Sequence, residues 1–121
     1  MSYLLACEFP NYFRAVAPVA GTMMESWYNT CNPEYPTPIF EIHGTNDNVT
    51  WWDGDPHDLG GWGPYVGIDD IIQLWRTINL TESVVYDTLL DINLADGSYV
   101  TTEKYQDGQD DNEVWLFKII G

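Results

Sequence analysis

The segment from Pro38 to Asp55, PIFEIHGTNDNVTWWDGD, changes character in one step at Gly44. Before the glycine runs a strand pattern in which Ile39 and Glu41 fall on one side and Phe40 and Ile42 on the other. After it come Asp47, two tryptophans and further acids, with no apolar period left. Asp47 falls directly beyond the strand's carboxyl end, and in an open α/β sheet, the class expected here, that rim is where ligands and catalytic groups collect.

The neighbouring segments agree with that class. Ala15–Ala20, small and Val-rich and closed by Gly21, predicts a strand with small side chains on both faces, as a sheet covered by helices requires. Ile68, Ile71, Ile72, Trp75 and Ile78 recur at i, i+3, i+4, i+7 and i+10, the stripe of an amphipathic helix, and Asp69 and Asp70 suit the positive end of its first turn. A shorter helix, Ser2–Glu8, is stopped by Pro10. Residues 22–37, with Asn32-Pro33 and Tyr35-Pro36, read as a surface connection without regular structure. Residues 51–67 read as a long structureless loop whose aromatic content argues for function over disorder. Three extended pieces complete the chain: SVVYDTLLDI, SYVTTEKYQ and EVWLFKII, the first two joined through an Asp96-Gly97 turn.

Composition narrows the function. At 121 residues and 45% hydrophobic, with six Trp, eight Tyr and four Phe, the chain has ample material for one packed core. Four basic residues against 19 acidic ones give a net charge of -15, which repels nucleic acid and anionic membrane surfaces and fits an exported or salt-tolerant protein. The apolar runs fall short of the roughly 20 residues that span a bilayer. Cys7 and Cys31 make no C-x-x-C spacing; they read as two half-buried thiols or one structural bridge.

Asp47 is the candidate catalytic residue. A carboxylate on a rim loop can accept the Nδ1 proton of a histidine and stabilise the imidazolium formed when that histidine takes a proton from a serine. Alone, an Asp in a polar loop is as readily a cap or turn former. Within the chain the other roles are poorly filled: Ser2 lies inside a helix without flanking glycines, His57 lies among Asp53, Asp55 and Asp58, and His43 sits on the strand end as a framework residue. Trp51, Trp52, Trp62 and Tyr65 offer aromatic faces for a ring or sugar, or else plug the rim above the core. The acidic runs DGDPHD and DGQDDNE miss the register of an EF-hand loop and read as solvated turns, so no metal or cofactor is expected. Asn48-Val49-Thr50 and Asn79-Leu80-Thr81 fit the N-glycosylation pattern.

LLACEFPNYFRAVAPVAGT, then PIFEIHGTNDNVTWW, then GIDDIIQLW resemble the polyhydroxybutyrate depolymerase-like esterase family of α/β-hydrolases, which includes feruloyl and acetyl-xylan esterases. The resemblance covers most of the chain, closest over its first 50 residues and the amphipathic helix. It implies that 1–121 is the C-terminal part of one α/β-hydrolase domain, truncated at both ends, with flanking helices, a hairpin region and an uncovered apolar face. It matches Asp47 to the family's triad acid in HGT-x-D. The family's G-x-S-x-G-G-M elbow would precede Met1 and its GGH-x-WPG loop would come after Gly121, so nucleophile and base would lie outside this chain and the isolated chain would be inactive.

The expectation is thus a secreted or periplasmic serine esterase acting on acyl or feruloyl esters of plant polysaccharide, with polyhydroxyalkanoate or short-chain esters as the alternative substrates. A rival of another class is a noncatalytic carbohydrate-binding module that stacks sugars on Trp51, Trp52 and Trp62.

Overall fold

The structure is a computed structural model describing residues 1–121. Two short helices, α1 (Ser2–Glu8) and α2 (Glu25–Thr30), precede strand β1 (Ile39–Gly44) and a small ribbon of β2 (Gly54–Asp55) and β3 (Tyr65–Val66). Helix α3 (Ile68–Asn79) then leads into β4 (Ser83–Thr88), β5 (Tyr99–Gln106) and β6 (Val114–Ile120).

Four strands form one mixed sheet in the order β1-β6-β5-β4. β1 and β6 run parallel, from Ile39 opposite Val114 to Gly44 opposite Ile119. β5 is antiparallel to both β6 and β4. The parallel pair is joined through α3 and the β4–β5 hairpin, because parallel strands need a long crossover.

The strand expected at Ala15–Ala20 is present only in part. Val16 and Val19 pair in parallel with Ile39 and Ile42, and four backbone bonds tie the segment to β1: Val16 N–H to Pro38, Phe40 N–H to Val16, Ile42 N–H to Pro18 and Ala20 N–H to Ile42. The bond missing from this ladder is the one Pro18 would donate, and proline has no N–H. The segment is a strand interrupted by a single residue.

Alternation in β1 runs opposite to its apolar pattern. Ile39, Glu41 and His43 point inward and are at most 2% exposed, whereas Phe40 and Ile42 lie on the half-exposed face. Inward, Ile39 meets Val114 and Leu116 of β6, Tyr105 of β5, Tyr3 and Ala6 of α1, and the Ile68, Ile71, Ile72 and Trp75 stripe of α3 in one core. Tyr3 and Trp75 stack with ring centres 6.2 Å apart. On the outer face Phe40, Trp115 and Phe117 pack on one another, Phe40 and Phe117 edge to face at 4.7 Å.

Three connections differ from expectation. Residues 25–30 form α2, since Asn32-Pro33 and Tyr35-Pro36 lie beyond its end and constrain only the residues after Thr30. The 51–67 loop is not structureless: β2 and β3 pair across it, and the buried Asp55 carboxylate accepts the amides of Leu59 and Gly60 at 3.0 and 2.8 Å, closing the turn. The piece expected to run to Ile92 ends as β4 at Thr88, with one further bond from the Leu89 amide to Val100; beyond it Leu90, Ile92 and Leu94 are at least 85% exposed and the chain turns at Asn93–Asp96. No helix is long and apolar enough to cross a membrane.

Cys7 and Cys31 are bridged, with Cα atoms 5.3 Å apart, tying the end of α1 to the residue capping α2 across 24 positions. Opening a loop of this size costs about 3 kcal/mol. A Cys7→Ser, Cys31→Ser double variant is therefore expected to lose about 3 kcal/mol of unfolding free energy in urea titrations. Trp75→Ala, which empties a fully buried site, should cost about 3–5 kcal/mol. Trp62→Ala, at a position 57% exposed, should stay within about 0.5 kcal/mol in the same titrations.

Candidate functional site

The segment Val16–Ala20, β1 and β6 all run the same way, so their carboxyl ends share one rim. Asp47 stands on that rim, three residues past Gly44. Thr45, the first residue of its loop, donates its amide to Ile119 at the end of β6 (2.9 Å). The Asp47 amide donates back to Gly44, and Oδ1 accepts the amides of Val49 at 2.8 Å and Thr50 at 2.9 Å. These bonds build a compact turn around one carboxylate oxygen.

The other oxygen has no hydrogen-bond partner. Oδ2 lies 3.9 Å from His43 Nε2, too long for a hydrogen bond, and the side chain is 20% exposed. The amides of Val49 and Thr50 hold the Asp47 carboxyl below the usual 3.8, and the imidazole of His43 adds to the effect. The result is an ionised, oriented carboxylate with one oxygen anchored and one available.

Beneath it lies a buried polar chain. His43 Nε2 donates to the Thr50 carbonyl at 2.8 Å, and Nδ1 lies 3.0 Å from Glu41 Oε1. Glu41 also accepts the Gly21 amide at 3.2 Å on Oε1 and the Tyr3 hydroxyl at 2.6 Å on Oε2. A carbonyl offers no proton, so Nε2 must carry one, and a single further proton is shared between Nδ1 and Glu41. Whichever atom holds it, the Glu41–His43 pair is neutral as a unit, and such a pair can sit fully buried.

Burial raises Glu41 above the usual 4.5 against the opposing bonds from His43 and Tyr3. Burial lowers His43, but the hydrogen bonds to Glu41 and Thr50 and the nearby carboxylates outweigh it, so the ring ends above the usual 6.5. Burial likewise pushes the Tyr3 hydroxyl up, with the Glu41 carboxylate adding to the effect.

The remaining sequence candidates are dispersed. Ser2 is half-buried in α1 and His57 is exposed in the β2–β3 connection; neither hydrogen-bonds to Asp47. Trp51 lies beside the acid, its indole N–H donating to the Asn48 carbonyl at 3.3 Å and its amide to the hydroxyl of buried Tyr65 at 3.0 Å. Trp52 is a framework ring. It donates to Asp69 at the start of α3, meets His43 edge to face, and carries the Lys118 ammonium 5.1 Å above its face. Trp62 is exposed between Gly61 and Gly63, and the three indoles do not stack on one another. Among the acidic turns, Asp55 is occupied by Leu59 and Gly60 and Asp58 accepts the Gly63 amide, and no group of three or more His, Cys, Asp or Glu is placed to hold a metal ion.

Glu41 and Tyr3 escaped the sequence reading. Their signal was parity: Glu41 and His43 share a strand face with Ile39, and that face becomes visible as the inner one only once α3 is known to pack against it. The chain matches no protein-family model, no curated protein and no solved structure.

The buried pair makes a prediction about pH. Both groups hold protons more tightly folded than unfolded, so their stabilisation is fully present below the unfolded values, near 4.5 and 6.5, and is lost as pH rises through the higher folded ones. Unfolding free energy from urea titrations is expected to fall between about pH 5 and pH 8. In Glu41→Gln that fall should flatten or reverse, because burial then dominates at His43. A variant that kept the parental slope would show that the pair does not set it.

Proposed function

We propose that the chain carries the acid of a Ser-His-Asp triad in a carboxylic ester hydrolase of the α/β-hydrolase class. The observation that carries this reading is the state of Asp47: it sits beyond the carboxyl end of a parallel strand, with Oδ1 gripped by two amides and Oδ2 unpartnered. A triad acid needs that arrangement, because it must accept one imidazole N–H in a fixed direction and stay ionised while the imidazolium forms. Nucleophile and base come, on this reading, from polypeptide outside these 121 residues. Serine would attack the ester carbonyl, histidine would take the serine proton and later give it to the leaving alcohol, and Asp47 would hold the imidazole in the correct tautomer.

The substrates are acyl or feruloyl esters on plant polysaccharide, with polyhydroxyalkanoate or short-chain esters as the alternative. Trp51, beside the acid, and the exposed Trp62 offer aromatic walls for such a ligand, while one face of Trp52 is already taken by Lys118. That engagement weighs against the noncatalytic carbohydrate-binding reading, which needs Trp51, Trp52 and Trp62 as one free platform. The Cys7–Cys31 bridge supports an oxidising, secreted or periplasmic setting.

The test is hydrolysis of p-nitrophenyl acetate and methyl ferulate by the full-length protein and its Asp47→Asn variant. The amide should lower kcat by about 10⁴-fold by favouring the wrong imidazole tautomer. Unchanged turnover would remove Asp47 from the mechanism. The 121-residue chain alone is expected to hydrolyse neither ester.

A further inference from the structure

His43 takes no part in the proposed reaction, yet it is 1% exposed and both its ring nitrogens are committed to hydrogen bonds. Its place explains why. The bonds that grip Asp47, from Val49, Thr50 and back to Gly44, span at most three residues, so the turn keeps one shape and one direction only while both ends of its loop are held to the fold. Orientation must come from bonds to the rest of the fold. At the near end the Thr45 amide and hydroxyl both donate to Ile119. At the far end the Thr50 carbonyl accepts from His43, and Trp51 donates to the Tyr65 hydroxyl.

Thr50 is the decisive residue: its amide holds Asp47 Oδ1 while its carbonyl is held by His43 Nε2. Carboxylate and imidazole are thus joined through one residue. The imidazole is itself fixed on its other nitrogen by Glu41, which is anchored by Tyr3 of α1 and by Gly21, and on its edge by Trp52.

We propose that His43 is a positioning residue for Asp47, clamping the far end of its loop through the Thr50 carbonyl so that Oδ2 faces outward in one direction. The catalytic meaning of this clamp rests on the reading of Asp47 as a triad acid; the clamp itself does not. Glu41 and Tyr3 serve it indirectly, by keeping the ring in the rotamer and tautomer that direct Nε2–H at Thr50.

The experiment is carried out by NMR on the full-length protein, with no ester present. It tracks the pH titration of the Asp47 carboxyl carbon and the hydrogen exchange of the Val49 and Thr50 amides, with the amides of β5 as the internal reference. In the unsubstituted chain Asp47 should titrate below 3.8 and both amides should be protected. His43→Leu should bring the Asp47 midpoint back to its ordinary range and speed exchange at both amides about tenfold, with β5 unchanged. His43→Gln, whose amide nitrogen can still donate towards Thr50, should restore the amide protection and most of the Asp47 shift, short only of the part the imidazole itself supplies. Unchanged readouts in His43→Leu, or damage in His43→Gln equal to that in His43→Leu, would overturn the proposal. Should His43→Leu fail to fold, the unsubstituted ring decides: a slowly exchanging Nε2 proton close to Thr50 supports the clamp, and one in fast exchange with water overturns it.

Loss of turnover in Asp47→Asn with a mobile, unclamped loop would sink only the positioning role. A firm clamp with unchanged turnover in Asp47→Asn would sink only the esterase.

Discussion

A carboxyl group with no access to water must be hydrogen-bonded on every side, and Glu41 is such a group. Its partners come from three places in the chain: Tyr3 on α1, Gly21 at the end of the interrupted strand, and His43 two residues along β1. The demand for satisfaction therefore dictates where those segments meet. Gly21 shows how tightly. A Cβ there would come within 2.8 Å of the Pro18 Cβ, so a side chain would push the backbone away and cost Glu41 one of its donors. Tyr3 does double work, giving its hydroxyl to Glu41 and its ring to Trp75, so the polar chain and the apolar core share a residue.

The scarcity of positive charge gives the rest of the framework its character. Of the four basic residues, three lie over aromatic faces: Arg76 is 4.0 Å from the Tyr105 ring centre, Lys104 is 4.7 Å from Trp115, and Lys118 is 5.1 Å from Trp52. Lys118 also reaches Glu103 at 2.6 Å, joining the neighbouring strand to the tryptophan beneath the rim. Cations are thus committed to holding rings and strands together, and most of the surface acids go uncompensated. A chain built this way presents a strongly negative exterior and still has a firmly braced rim.

Much of this was legible beforehand. The stripe from Ile68 to Trp75 became α3 because apolar spacing at 3.6 residues leaves a helix one face to bury, and Ile39–Gly44 became β1 with Asp47 just beyond its end. What stayed hidden depended on partners distant in sequence. Nothing near Glu41 announces that Tyr3, 38 residues earlier, will meet its carboxylate, and an apolar reading of PIFEIHG favours the wrong face as the inner one. Pro18 was visible, but its effect on a ladder needs the neighbouring strand to be known. The pairing of β2 with β3 rests on two residues a side, too short for any period to register. The placement of Asp47 just past the end of β1 was readable from its local pattern, while the polar support under it was not.

The β4–β5 hairpin is built on different terms from the rest of the sheet. All six residues of β4 are exposed, so that strand is held by its ladder to β5 with little apolar burial on either face. Water competes directly for hydrogen bonds of that kind, whereas those between β1 and β6 lie under α3 and α1. The molecule is consequently graded, with a rigid parallel edge carrying the carboxylate and an opposite edge that opens at lower cost. Such a gradient lets β4 fray and re-form without moving Asp47, which keeps slow motions of the sheet edge away from the rim.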